Sequence, residues 1–197
     1  VSANVTAQQV IDNYAAALGG KSKLEAVKTV KTLSTIKVMG MEMEATTLEM
    51  APNKSKAVQK IMGQEMVQVF DGEKGYMMQA GQRMDLPAPA IEEAKKKRLF
   101  EVLSYNAADF KTVEKVTEEG KELYLLAGAG KKLYFDTKTN LLVKSTSDKG
   151  DMVILDYMEV DGIKFPKNIK LAMMGQNMEM TNNQVIVNKE VSAEDFK

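Results

Sequence analysis

Apolar residues recur at helical spacing at the start of the chain and at alternate positions through most of the remainder. Thr6-Ala7-Gln8-Gln9 reads as a capping box, with Thr6 as N-cap and Gln9 at the third helical position. Val5 and Val10 then occupy the two positions of a hydrophobic staple. Val10, Ile11, Tyr14, Ala15 and Leu18 form one stripe and predict a helix, which Gly19-Gly20 ends. Ser22-Lys23-Leu24-Glu25 is a second capping box and predicts a short helix before Thr29.

From Val30 the period becomes two. Val30, Thr32, Ser34, Ile36 and Val38 share one side of a predicted strand, and Met41, Met43 and Ala45 alternate with Glu42, Glu44 and Thr46. Short strands follow at 54–62, 65–71 and 75–80, separated by turn signals at Gly40, Pro52-Asn53, Gly63 and Asp71-Gly72. Pro87 and Pro89 interrupt this run. A helix is predicted from Ala90 to about Ser104, with Ile91, Ala94, Leu99, Val102 and Leu103 on its apolar side. Six further strands are predicted at 122–127, 132–136, 141–147, 151–160, 163–174 and 177–188. Val191 to Phe196 reads as a single docking turn.

Strands this closely spaced must join as antiparallel hairpins, because parallel strands need crossovers of a dozen residues or more. The fold class expected is therefore α+β, with a large curved antiparallel sheet of about eleven strands. Such a sheet tends to curl on itself, and its inner face needs a cover, for which the N-terminal helix and the central helix are the candidates. No linker interrupts the pattern, so one domain is expected over 1–197.

Composition narrows the chemistry. The chain has 197 residues, with 27 Lys+Arg balancing 27 Asp+Glu, no Cys and no His. Disulfides, thiolate catalysis, His-containing triads and His- or Cys-type metal sites are excluded. The zero charge balance argues against a nucleic-acid partner. Methionine is abundant at 15 residues, whereas tryptophan is absent. Methionine is flexible and polarizable and suits surfaces that accept irregular apolar partners. No apolar run approaches the length of a membrane span. The chain starts at Val1 without a signal-like segment, so a processed protein or an excised fragment is expected.

Several motifs invite a functional reading. Ala15 to Ser22 nearly spells a phosphate loop, but Ala15 replaces the first glycine and a helix precedes it where a strand is needed. Ser34-Thr35-Ile36-Lys37 has nucleophile spacing, but residues three apart on a strand point to opposite faces. Asp148 with Asp151, and Asp156 with Glu159, offer carboxylate pairs on a charged surface, and neither pair stands out for glycosidase work. The basic run Lys95 to Arg98 reads as the wet side of a helix or as a contact for anionic lipid head groups. Methionine clusters around three hairpin glycines, in Met39-Gly40-Met41-Glu42-Met43, Met62-Gly63-Gln64-Glu65-Met66 and Met174-Gly175-Gln176-Asn177-Met178. Core packing, an adaptable mouth for an acyl chain and a thioether copper(I) site all remain open for these residues.

Four segments carry a resemblance over the whole chain. They are Val10-Ile11-Asp12-Asn13-Tyr14 through Leu18-Gly19-Gly20 to Thr29, Leu48-Glu49-Met50-Ala51-Pro52-Asn53-Lys54, Asp156-Tyr157-Met158-Glu159-Val160-Asp161-Gly162-Ile163-Lys164-Phe165-Pro166, and Asn188-Lys189-Glu190-Val191-Ser192. With these the chain resembles the LolA/LolB-like periplasmic lipoprotein carriers, in the form found in Bacteroidetes envelope proteins. The resemblance implies an incomplete barrel with a helical lid over a cavity for acyl chains, and a periplasmic or outer-membrane-associated protein whose signal peptide has been removed. Carriers of this kind have a cavity arginine that affects lid opening, and Arg83 is the only strand arginine here. Similar segments occur at the C-terminal end of Bacteroidetes zinc peptidases of the insulinase (M16) type, whose H-x-x-E-H helix this chain cannot supply.

The expected function is non-catalytic binding of a lipid, or of the acyl chain of a lipoprotein, between sheet and lid, with no cofactor and with membrane-surface contact possible. The candidate lining is Ile36, Val38, Met41, Met43, Met66 and Phe70 from the first half of the sheet. Ile91, Leu99 and Leu103 come from the lid, and Met152, Ile154, Met174 and Met178 from the second half. Which sheet face they line depends on register, since a slip of one residue reverses it. The alternatives are an accessory domain of an M16-type peptidase and a methionine-based copper(I) binder.

Overall fold

The computed structural model describes residues 3–197, so Val1, on which the expectation of a processed start rests, lies outside the described residues. Two compact units are present. One contains the chain up to Leu24 together with Tyr105–Glu179, and the other contains Glu25–Ser104 together with Met180–Lys197.

The first unit begins with α1 (Ala7–Leu18) and contains β7 (Thr112–Glu118), β8 (Lys121–Gly128), β9 (Lys131–Asp136), β10 (Leu142–Ser147), β11 (Gly150–Val160) and β12 (Ile163–Met173). The capping box forms as the sequence predicts. The Gln9 backbone N–H donates to the Thr6 hydroxyl at 3.1 Å, and the Thr6 N–H donates to the Gln9 side chain at 2.8 Å. The α1 stripe is buried, with the Tyr14 ring meeting Phe135 edge-on at 5.2 Å. Tyr157 donates its hydroxyl to the Leu142 carbonyl at 2.6 Å, and burial with Tyr14 nearby holds its ionisation well above the usual phenol range. The second helix, α2 (Lys21–Ala26), starts one residue before Ser22, so this serine lies inside the helix and not at its N-cap. Gly20-Lys21-Ser22 thus joins two helices, and no strand feeds a phosphate loop.

The second unit is a meander of β1 (Thr29–Val38), β2 (Met41–Met50), β3 (Lys54–Ile61), β4 (Gln64–Phe70), β5 (Gly75–Gln79) and β6 (Gln82–Asp85). It is followed by α3 (Ala88–Lys96) and a 3-10 turn at Glu101–Ser104. The C-terminal docking turn forms as a 3-10 helix over Ala193–Phe196, and it buries Phe196 against Leu48 and Val69. The Asn188 side chain accepts from the Lys28 and Thr29 backbone N–H groups at 2.7 and 3.2 Å, which ties the start of β1 to the chain leading into that turn. The last strand is β13 (Gln176–Val187).

All thirteen strands belong to one antiparallel sheet, in the order β6-β5-β4-β3-β2-β1-β13-β12-β11-β10-β9-β8-β7. The sheet ends at β6 and β7 and is not closed into a barrel. The count exceeds the eleven expected because of β6 and β7, which are its two edges. Edge strands are commonly short or charged, which discourages pairing with other chains and also weakens the apolar alternation that reveals a strand. The central helix is shorter than expected. It ends at Lys96, and Lys97 is already extended, with φ −69° and ψ 152°.

Three hairpin tips place a methionine in left-handed backbone, Met39 at φ 53°, Met62 at φ 50° and Met174 at φ 53°, each followed by a glycine with positive φ. These are two-residue turns of the type that favours Asn-Gly. The three side chains are 75%, 88% and 96% exposed, so none of them packs in the core. Met62→Asn is expected to stabilise the protein by about 0.5 kcal/mol, a rise of about 1–2 °C in Tm by thermal melting.

Candidate functional site

The site is built from the register of the second unit. Glu49 pairs with Val30 on one side and Ser55 on the other, Ser55 pairs with Phe70, and Phe70 pairs with Gly75. Side chains of directly paired residues share a face, as do those two apart along a strand. Val30, Ile36, Val38, Met41, Met43, Glu49, Met66, Gln68 and Phe70 therefore lie on one face of β1–β4. Leu48, Val69 and Tyr76 lie on the other, beneath Phe196.

The segment containing α3 covers the lower end of the first face. It encloses a cavity of about 270 Å³ lined by Glu49, Ser55, Gln68 and Phe70 from the sheet and by Ala90, Ala94, Lys97 and Leu99 from the cover, among others. Asn53 and Leu86 link the cover to the sheet, and Arg98 braces the cover internally. The Asn53 side chain, in the β2–β3 turn, donates to the Lys95 carbonyl at 3.1 Å, and the Arg98 guanidinium donates to the same carbonyl at 3.1 Å and to that of Lys97 at 2.7 Å. Leu86 reaches the sheet over Gly75, where an added Cβ would stand 2.7 Å from Leu86 Cδ1 and 2.3 Å from the Val69 carbonyl oxygen.

Glu49 is the unusual group. Burial raises its carboxyl from 4.5 to about 7, against the opposing pull of Lys97. Neither Glu49 nor the pair Lys97 and Arg98 was singled out for the cavity from the sequence, where the basic run reads as a solvated helix side or a lipid contact. One signal was available. The polar phase of β2, set by Glu42, Glu44 and Thr46, gives way at Leu48 and Met50, while the apolar phase of Met41, Met43 and Ala45 gives way at Thr47 and Glu49. The pairing of β1 with β2 runs unbroken from Thr29↔Met50 to Val38↔Met41, so this is an exchange of character between faces and not a bulge.

The candidate lining residues separate into groups. Phe70 and Leu99 line the cavity. Ile36, Val38, Met41, Met43 and Met66 share the face of Phe70 and are half-buried except for Met41, which is exposed. Ile91 lines a different cavity, of about 410 Å³, with Val69, Tyr76 and Phe196. Leu103 is half-buried in the 3-10 turn. Met152, Ile154, Met174 and Met178 belong to the first unit, where Ile154 is buried core and Met174 is a hairpin tip.

Other candidates resolve more simply. Arg83 stacks over the Tyr76 ring at 4.0 Å, pairs with Asp85 at 3.5 Å and lies on the face opposite the α3 cavity. Ser34 is buried and donates to Asn182 at 2.7 Å, whereas Lys37 lies on the opposite face and is exposed, so the two form no nucleophile pair. Asp156 accepts from the backbone N–H of Asn168 at 2.9 Å.

No protein-family model matches the chain, and no curated protein matches it in sequence. Solved structures do. A DUF1329 family protein from Desulfovibrio piger is similar at a TM-score of 0.61 with 8% identity, covering 97% of each chain. A domain from Vibrio parahaemolyticus described as an outer membrane lipoprotein-sorting protein domain gives the same TM-score, identity and coverage. A LolA superfamily protein from Nitrosomonas europaea gives a TM-score of 0.55 with 12% identity over 98% of each chain. The similarity is at the level of fold and extends over nearly the whole chain.

Proposed function

We propose, on the premise that this chain has a LolA-like fold, that it is a non-catalytic binding protein of the cell envelope. Its ligand is an amphiphile or the acyl chain of a lipoprotein, held by the second unit. The observation that carries this reading is the face of β1–β4 that holds Phe70 beside the cavity under α3 and, beyond a belt of Thr32, Thr47, Gln68, Ser34 and Gln59, an apolar patch that reaches the β1–β2 and β3–β4 tips. Met66, Ile36, Met43, Val38 and Met41 follow one another along it beyond Phe70. From Glu49 to Met41 the strand extends about 27 Å at 3.4 Å per residue, room for a single long chain. Each buried CH₂ contributes about 0.8 kcal/mol, and the flexible thioethers adapt to an irregular tail. Similarity in fold to an outer membrane lipoprotein-sorting protein domain supports an envelope role and a lipoprotein's acyl chain as ligand.

A fluorescent fatty acid is expected to bind the purified protein with enhanced emission. The double variant Ile36→Glu with Met43→Glu is expected to weaken that binding at least about tenfold, because two carboxylates must then be desolvated against the tail. Both positions are partly open, so the circular dichroism spectrum should be unchanged. Absence of probe binding to the wild-type protein, with no lipid in an organic extract, would overturn the proposal.

A further inference from the structure

The cavity under α3 carries more charge than an acyl chain can use. Lys54, Lys97 and Arg98 bring three cations to its wall, together with the carboxylates of Glu49 and Glu93. Ser55 and Gln68 add neutral polar groups from the sheet. Among the described residues no group donates a hydrogen bond to the Glu49 carboxylate, although two of its near neighbours, Asn53 and Arg98, spend donors on the Lys95 carbonyl. The Glu49 oxygens are not fully buried, so the donor they need comes from the cavity, where a ligand's N–H would take the place of water.

Building on the amphiphile reading above, we infer that this cavity is a head-group subsite for a zwitterion, with a primary ammonium donating to Glu49 and an adjacent phosphate lying toward Lys54, Lys97 and Arg98. The wall itself selects this chemistry. A simple alkylammonium would satisfy Glu49 but would meet three cations with no anion of its own. A simple anion would suit the cations but would leave Glu49 without a donor and add a like charge beside it. A quaternary ammonium carries no N–H and cannot make the charge-assisted hydrogen bond that distinguishes the stronger polar contacts. The apolar remainder of the ligand would leave the subsite past Phe70 and Leu99, in the direction of the methionine-bearing face.

The test is displacement of the fluorescent fatty acid at pH 8 by lysophosphatidylethanolamine, lysophosphatidylcholine and lysophosphatidylglycerol of equal chain length, with chain-free phosphoethanolamine as a fourth competitor. Lysophosphatidylethanolamine is expected to act at about tenfold lower concentration than the other two lysolipids, the increment of one charge-assisted hydrogen bond. That preference is expected to vanish in Glu49→Gln, and in the wild-type protein at pH 5.5, where the Glu49 carboxyl is protonated. Competition by phosphoethanolamine as strong as that of its lysolipid would support the subsite and identify its natural occupant as a soluble zwitterion. Equal displacement by the ethanolamine and choline lysolipids would overturn the head-group assignment and leave the amphiphile reading standing. Failure of the lysolipids to displace a bound probe would overturn it in the same way. Failure of the probe itself to bind would remove both.

Discussion

Phe135→Ala is expected to destabilise the first unit by about 4 kcal/mol, the largest effect of a single substitution considered for this protein. Phe135 is fully buried at 0% exposure, and its ring is the surface against which Tyr14 of α1 packs. Truncation removes the transfer energy of the ring, leaves a cavity between helix and strands, and loses an edge-on aromatic contact. The urea midpoint should fall substantially. Amide exchange should rise first in α1, whose buried side chains are the ones that lose their partner surface. A loss below about 1 kcal/mol would show that α1 is not held by this contact.

Glu49→Gln is expected to act in the opposite direction, with an effect that grows as pH rises from about 4.5 to about 7. Burial lifts the carboxyl from 4.5 to about 7 in the folded protein. Between those two values the folded state retains a proton that the unfolded chain has already released. Stability therefore falls as pH rises through this window, and the penalty is complete above about 7. Glutamine keeps the shape without the ionisation. The variant should be more stable than wild type by about 2 kcal/mol at pH 8, and nearly equal to it at pH 4. Denaturant titrations of both proteins at the two pH values measure this directly. Parallel pH profiles for the two proteins would show that Glu49 is solvated. A residue that costs stability at its own position is a reason to look there for function, since such costs are tolerated where a ligand relieves them.

Elements with strong local signals were legible from the chain alone. The Thr6 capping box, the α1 stripe, the glycine-containing hairpin turns and the docking turn that ends at Phe196 are written in residues close to one another. Less local features were misread. The edge strands β6 and β7 lack the apolar alternation of strands with two neighbours, and the stretch after Lys96 keeps an apolar spacing that resembles a helix while its backbone is extended at Lys97. Arg83, which the family resemblance singles out, belongs to a cation–π stack on the other face of the sheet. Glu49 lies in the Leu48–Lys54 segment, where the exchange of phase along β2 is the one local hint of its burial, because a carboxylate in a strand is ordinarily solvated.

The sequence by itself determined α1, the strands from β1 to β5 and from β8 to β13, and that consecutive strands pair antiparallel. Those properties follow from period, capping and loop length, all of which act within a few residues. The tertiary structure decided which face of each strand is covered and by what. In β2 the apolar phase changes sides between Ala45 and Leu48, because Phe196 arrives over Leu48 from nearly 150 residues away along the chain, while α3 closes over Glu49 on the other side. Burial and its effect on a carboxyl group depend on what packs against a residue in space, and no local pattern specifies that neighbour.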